Sequence, residues 1–276
     1  PLLAVAVNSP FFPPDLYDAD PEAILSKGWM ENRVPVFESV LNPGGDPKVT
    51  FPEDIDSIDE ALQRIADDET VVPTLLERGD RFDDRFEHFR HKHGSFWRWV
   101  RPVFDGASRA TANVRIEFRP LPAQPTLRDT VAFLAAFAGA MTALPSSEHP
   151  VADLSWEQAR ENFYAAARDG LDADVTWITA DGRRTNDVGR CLDDLLGVAV
   201  DGLRACGLPE DRAVDRIEPL RDRARRRRTP AGWKRSLVAT HLDRGLSFAE
   251  AIHETQREYL SRQRETLVGG GFADWP

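Results

Sequence analysis

Lysine is nearly absent. Four lysines stand against 31 arginines in 276 residues, and 28 aspartates stand against 18 glutamates. The net charge is −11 and the isoelectric point is near 5.1. A chain this acidic lacks the cationic surface that nonspecific nucleic-acid binding or docking on anionic lipid needs. Cysteine is scarce too: Cys191 and Cys206 make neither a disulfide framework nor a metal knuckle. The most apolar run, Val131 to Leu144, is about 14 residues, which suits a buried core helix better than a membrane span. No stretch reads as a signal peptide. Walker A loops, dinucleotide fingerprints, Gly-x-Ser-x-Gly elbows and Cys-x-x-Cys pairs do not occur. An apolar content of 41% excludes a disordered chain. The Asp-rich, Lys-poor balance reads as a cytoplasmic protein adapted to high salt, where dense carboxylates hold hydrated cations. A high-GC codon bias, which also exchanges Lys for Arg, is the alternative.

The chain opens directly on the apolar Leu2 to Val7, as if inside an element, so it reads as the C-terminal part of a longer protein. A proline-rich loop follows, through Phe11, Phe12, Pro13 and Pro14. Val34-Pro35-Val36-Phe37 reads as extended, Asn42 to Asp46 as a turn, and Thr70 to Leu75 as a strand. Ser57 to Ala66 reads as a short helix with Ser57 and Glu60 as a capping box. Asn113 to Arg119 alternates cleanly and is the best strand.

After Gln124-Pro125 the pattern turns helical. Helices are expected over Thr126–Leu144, Ser155–Arg168, Cys191–Ala205 and Glu210–Arg228. Two more are expected, one opening at Thr229-Pro230 and one over Ser247–Val268. The fold class is α+β, with a mostly helical C-terminal half. Residues 1–145 read as part of an α+β domain and 146–276 as a helical region packed on it.

Several residues could carry chemistry. On the strand, Val114, Ile116 and Phe118 share one face and Arg115, Glu117 and Arg119 the other. A carboxylate between two guanidiniums stays ionised and can hold a divalent cation, while the arginines grip phosphate or carboxylate oxygens. A solvated strand laced with ion pairs is the alternative. In His91-Lys92-His93 the two imidazoles would share a face if extended, but no third metal ligand is evident. Trp97, Trp99 and Arg101 share a parity and could stack on a purine or pack together. Arg33 could clamp an anion or cap a surface. The six arginines within Arg221 to Arg228 follow Asp211, Asp215, Glu218 and Asp222 and read as a self-paired helix.

Taken in order, Ala6-Val7-Asn8-Ser9-Pro10-Phe11, Asn32-Arg33, Trp97-Arg98-Trp99-Val100-Arg101-Pro102, Arg115-Ile116-Glu117-Phe118-Arg119 and Ala123-Gln124-Pro125-Thr126 resemble the glutamate–cysteine ligase type 2 family. The likeness is to its long halophilic archaeal branch, and its motifs span roughly residues 1–145. It implies a glutamine-synthetase-like catalytic fold with an antiparallel sheet between helices. It also implies Mg²⁺-ATP, glutamate and cysteine as ligands. The γ-carboxylate would be phosphorylated, and the cysteine amine would attack the acyl phosphate to give γ-glutamylcysteine. Glu117 falls on the family's metal-ligating Glu and Arg119 on the arginine that holds transferring phosphate. Arg101 and Arg33 fall on arginines near substrate or nucleotide anions, and Asn8 and Ser9 on a loop lining the site. Trp97 and Arg115 join the substrate and ATP contacts.

Pro120-Leu121-Pro122 stands where shorter members have an Asp, and Trp99 where they have another. The family's early Glu-x-Glu strand is missing, so this chain alone is expected to be an inactive C-terminal portion. Another amine acceptor, or a noncatalytic module with this fold, are the competing readings. Homo-oligomerisation is left open.

Overall fold

The computed structural model describes residues 1–13, 17–18, 20–42, 47–75 and 79–276. The expected turn beyond Asn42, and Pro14 of the proline-rich loop, lie outside them. The helices and strands run, in chain order, α1 (Leu2–Ala6), α2 (Pro21–Lys27), α3 (Arg33–Val40), β1 (Val49–Thr50), α4 (Ile58–Asp67), α5 (Glu87–Ser95), β2 (Trp97–Arg98), β3 (Val100–Asp105) and β4 (Asn113–Phe118). They continue with α6 (Leu127–Ala143), α7 (Trp156–Asp169), β5 (Trp177–Ile178), β6 (Arg184–Thr185), α8 (Val188–Ala205), α9 (Glu210–Arg225), α10 (Pro230–Asp243) and α11 (Phe248–Thr266). The fold is mixed, helix with small sheets, and its C-terminal half is helical. Two compact units form, one from residues 1–32 and 121–276, the other from residues 33–120.

The first unit is built around α6 and α8, which meet at backbone distance. A Cβ on Gly139 would lie 2.1 Å from the Ala199 carbonyl oxygen, and one on Gly202 only 1.9 Å from the Gly139 carbonyl oxygen. Ala132, Ala136 and Ala140 of α6 and Leu192, Leu196 and Ala199 of α8 fill the buried faces. By length and composition alone, Leu127–Ser146 is the one helix among the described residues that could cross a membrane. Behind it, Arg223 of α9 and Asp129 of α6 form an ion pair at 2.8 Å, both side chains about 99% buried. Thr126 caps α6 by accepting the Asp129 N–H, and its hydroxyl donates to Asp129 Oδ2. The capping boxes Ser155/Gln158 and Ser247/Glu250 form as the sequence predicts, and Pro230 opens α10. α1 is buried throughout. The arginine run is tied down. Arg225 pairs with Glu218, Arg226 with Asp222 and Arg227 with Asp172, while Arg228 donates to the Trp275 carbonyl.

In the second unit β3 and β4 form an antiparallel hairpin, with Val100 opposite Phe118 and Arg101 opposite Glu117. β1 and β2 pair in parallel over two residues. Three expectations need correction here. Val34 to Phe37 is helical, in α3, rather than extended. Pro35 is its third residue, within the first turn, where a missing N–H costs no intrahelical bond. Thr70 to Leu75 is no strand: Pro73 cannot donate to a ladder, and Val71, Val72 and Leu75 face solvent. His91 and His93 lie on a helix, α5, so two residues of separation send them to different faces. His91 meets the Val72 carbonyl and His93 the Pro102 carbonyl instead of a shared metal. The apolar face of β4 is half open at Val114 and Ile116.

Candidate active site: arginines, one carboxylate and an aromatic stack

The hairpin register carries the site of the second unit. Residues directly opposite on antiparallel strands have Cβ atoms about 5 Å apart, closer than successive residues on one face of a strand. Arg101 therefore reaches Glu117 from across the hairpin, Nε to Oε2 at 2.8 Å. Arg119, one residue past the end of β4, meets the same oxygen at 2.7 Å. Arg101 is buried, and its Nη1 donates to the carbonyls of His93 at 2.5 Å and Phe96 at 2.7 Å. Burial lowers the Arg101 pKa, and Glu117 counters it. For Glu117, burial pushes the carboxyl up. Hydrogen bonds and charge from Arg101 and Arg119 outweigh it and hold the group below its ordinary 4.5.

An aromatic stack supports the arginines. The Arg119 guanidinium lies 4.5 Å from the Trp97 ring centroid. Trp97 meets Trp99 edge-on at 4.9 Å, and Phe37 of α3 stacks on Trp99 at 6.2 Å. Arg33, the first residue of α3, lies over Trp99 at 5.6 Å and donates to the carbonyls of Arg119 at 3.0 Å and Pro120 at 2.6 Å. It thus fastens the chain just after Arg119. Trp99 Nε1 donates to Glu38. Arg33, Trp97, Arg101, Glu117 and Arg119 come together, whereas Arg115 leaves the group. It faces solvent and pairs with Asp105, Nη1 to Oδ2 at 3.0 Å.

Arg101 and Arg119 against Glu117 leave one net positive charge. Glu117 is the carboxylate that Arg101 and Arg119 share. Among the described residues no three His, Cys, Asp or Glu side chains gather where they could hold a metal ion. A carboxylate oxygen shared by two guanidiniums is a poor lone ligand for a dication. The residues present do not by themselves make a Mg²⁺ site; they suit an anion.

Asn8 and Ser9 belong to the first unit. The Asn8 side chain donates to the Ala123 carbonyl at 2.8 Å and to the Tyr259 hydroxyl at 2.9 Å, and the Asn8 backbone N–H donates to Glu31 Oε2 at 2.9 Å. The Ser9 carbonyl accepts the Asn32 N–H at 2.9 Å. Lys234 of α10 donates to the Asn8 carbonyl at 2.8 Å and lies 4.1 Å from the Tyr259 ring centroid. Sequence reasoning passed over Lys234. The signal was available: it is one of four lysines in a chain that otherwise uses arginine.

Arg101 and Arg119, joined through Glu117 and braced by Trp97, form a cationic cluster that suits an anion. Residues 1–266 match the family model for glutamate–cysteine ligase family 2, and the chain belongs to that family. The family is one of ATP-dependent carboxylate–amine ligases, which implies a ligase-like enzyme with ATP and glutamate as substrates. No curated protein and no solved structure matches the chain.

Proposed function

We propose that the chain carries the phosphate-handling part of a ligase that joins the glutamate γ-carboxylate to the amine of cysteine, giving γ-glutamylcysteine. The observation that supports this most is the Arg101–Glu117–Arg119 cluster, which holds two guanidiniums side by side before any ligand arrives. Phosphoryl transfer spreads negative charge over three oxygens, and fixed cations stabilise it without reorganising. In this reading Arg119 holds the transferring phosphate. Arg101 sets the position of Glu117 and adds its charge. Arg33 fixes the turn after Arg119, and Trp97 keeps the Arg119 guanidinium flat. Arg115 is a peripheral contact at most.

Asn8 and Ser9 are carried from the resemblance as substrate contacts. So are the glutamine-synthetase-like sheet, of which β3–β4 would be a part, the division at residue 145, a cytoplasmic setting and the adaptation to salt. ATP-dependent ligases generally use Mg²⁺, and the resemblance offers Glu117 to it. In this chain Glu117 serves the arginines.

The test is calorimetric titration of the 276-residue chain with ATP, run beside an assay of glutamate-dependent ADP release. Saturable ATP binding, weakened at least tenfold in Arg119→Met, is expected. Affinity unchanged in both Arg119→Met and Arg101→Met, or no ATP binding at all, overturns the reading. Comparing cysteine with alanine and 2-aminobutyrate as acceptors then decides the amine.

A further inference from the structure

The outer edge of β4 is open. Arg119 donates its N–H to the Trp99 carbonyl, and from there the register gives Glu117, Arg115 and Asn113 as the residues of β4 that bond to β3. Val114 and Ile116 alternate with them and turn their N–H and C=O groups the other way. No strand among the described residues pairs on that side, and Asn113 to Ile116 are all exposed. Val114 keeps 47% of its surface in solvent and Ile116 42%. An edge of this kind is a template for another strand, and chains that keep one single set a proline, a lysine or a bulge on it. β4 has none of these, and its pairing with β3 runs unbroken from Asn113 to Phe118.

The order of side chains says which strand fits. Val114-Arg115-Ile116-Glu117-Phe118 alternates apolar and charged from either end, with charges of opposite sign on the two sides of Ile116. Laid antiparallel on a copy of itself about Ile116, the strand is its own complement. Ile116 meets Ile116 of the partner subunit, and the two exchange both main-chain bonds, since each turns its polar groups outward. Val114 falls opposite Phe118 of the partner subunit. Arg115 falls opposite Glu117 of the partner subunit, at a non-bonded position where facing side chains come closest, and the symmetry repeats the pair. A slip of one residue would set outward-turned groups against inward-turned ones. A slip of two keeps the bonds but sets Arg115 against Arg115, or Glu117 against Glu117, and like charges directly opposite repel. Charge and hydrogen bonding therefore select one register.

We propose that two copies of the chain associate through β4, joining their hairpins into one four-stranded antiparallel sheet. Each Glu117 then meets Arg115 of the partner subunit beside its own Arg101 and Arg119. The cluster gains a third guanidinium that a single chain does not supply, because its own Arg115 turns to Asp105. Leaving Asp105 costs little, since that pair is 58% and 44% exposed. The association uses no ligand, so it stands or falls apart from the ligase reading.

Gel filtration with light scattering, at about 100 μM chain, reads the mass, and twice the 31.0 kDa of one chain is expected. Arg115→Glu sets like charges opposite each other at both positions and is expected to weaken the dimer at least tenfold. Ile116→Pro removes an N–H that β3 does not use and is expected to leave only monomer. Near-UV circular dichroism establishes that each variant is folded. Crosslinking reads the register, in a Cys206→Ser background that removes the exposed native thiol. Facing residues of a bonded pair have Cα atoms about 5.5 Å apart, within disulfide reach. Ile116→Cys is therefore expected to join two chains under copper–phenanthroline. Asn113→Cys, about 20 Å from its copy, is expected not to. A parent chain that stays monomeric overturns the assignment and leaves the edge to some other strand. A dimer unweakened in the variants that fold, or one that crosslinks through Asn113→Cys and not through Ile116→Cys, also overturns it. ATP binding by a monomeric chain leaves the ligase reading intact. A dimer beside a failed ATP titration removes the ligase reading and keeps the association.

Discussion

Replacing Gly202 by alanine tests the helix contact at the centre of the first unit. The added methyl would lie 1.9 Å from the Gly139 carbonyl oxygen, 2.7 Å from its carbon and 3.0 Å from its Cα. All three are main-chain atoms, so no side chain can rotate out of the way. Restoring ordinary contact at about 3.5 Å would require α6 and α8 to part by roughly 1.6 Å, and every apolar pair along the seam would loosen with them. Overpacking of this kind costs about 1–3 kcal/mol, and rigid neighbours put it at the upper end. Alanine returns about 1 kcal/mol through helix propensity. The net expectation is a loss of about 2 kcal/mol, or a fall in melting temperature of about 4–8 °C for a chain of this size. Gly197 lies on the same helix with nothing within 4 Å of a Cβ. Gly197→Ala should therefore raise the melting temperature by about 2–4 °C. Scanning calorimetry on the pair reads both signs. A Gly202→Ala chain that melts at or above the parent, or two variants that move the same way, would refute the close-approach argument.

Other outcomes follow from the same geometry. Asp129→Asn leaves the buried Arg223 guanidinium without its counter-charge and should cost about 3–5 kcal/mol in chemical denaturation. Glu117→Gln should destabilise the second unit by about 1–2 kcal/mol, less than a fully buried pair because Glu117 is 38% exposed. The Glu117 pKa is lowered in the folded chain, so its stabilising contribution is complete above 4.5 and lost as pH falls through the lower folded value. Glu117→Gln should accordingly flatten the acid limb of the stability curve, which denaturation from pH 5 to pH 3 measures. Burial pushes the Cys191 thiol up to about 11, while Cys206 is exposed. A thiol-reactive dye at pH 8 should thus label one cysteine quickly in the native chain and both after unfolding.

Elements that depend on near neighbours were legible before the structure. The capping boxes of α7 and α11 close between residues three apart, and the strand at β4 shows itself through alternation alone. Pro35 misled because proline in a helix's first turn looks locally the same as proline in an extended segment; only the following turns of α3 separate them. The charged face of β4 was legible as a pattern but not as a set of partners. Arg115 is as near to Glu117 in sequence as Arg119 is, yet it pairs with Asp105. The other partner of Glu117, Arg101, comes from β3, a choice set by hairpin register. The setting of Asn8 was least visible. Its partners Lys234 and Tyr259 are 226 and 251 residues away, and no local spacing encodes contacts of that range.

The proline of the Trp-Arg-Trp-Val-Arg-Pro segment acts as a register lock. Arg119 donates its N–H to the Trp99 carbonyl, which makes that pair a hydrogen-bonded one. Counting along the hairpin, Arg101 and Glu117 occupy the next such position, while Pro102 and Ile116, one step further on, fall on a non-bonded position, where β3 needs no N–H. Sliding one strand by a single residue would ask Pro102 for a donor it lacks. The same slip would carry Glu117 to the opposite face from Arg101. Two sequence fragments separated by a loop are thus halves of one alignment device, and the spacing of the cations is inherited from a residue that carries no charge.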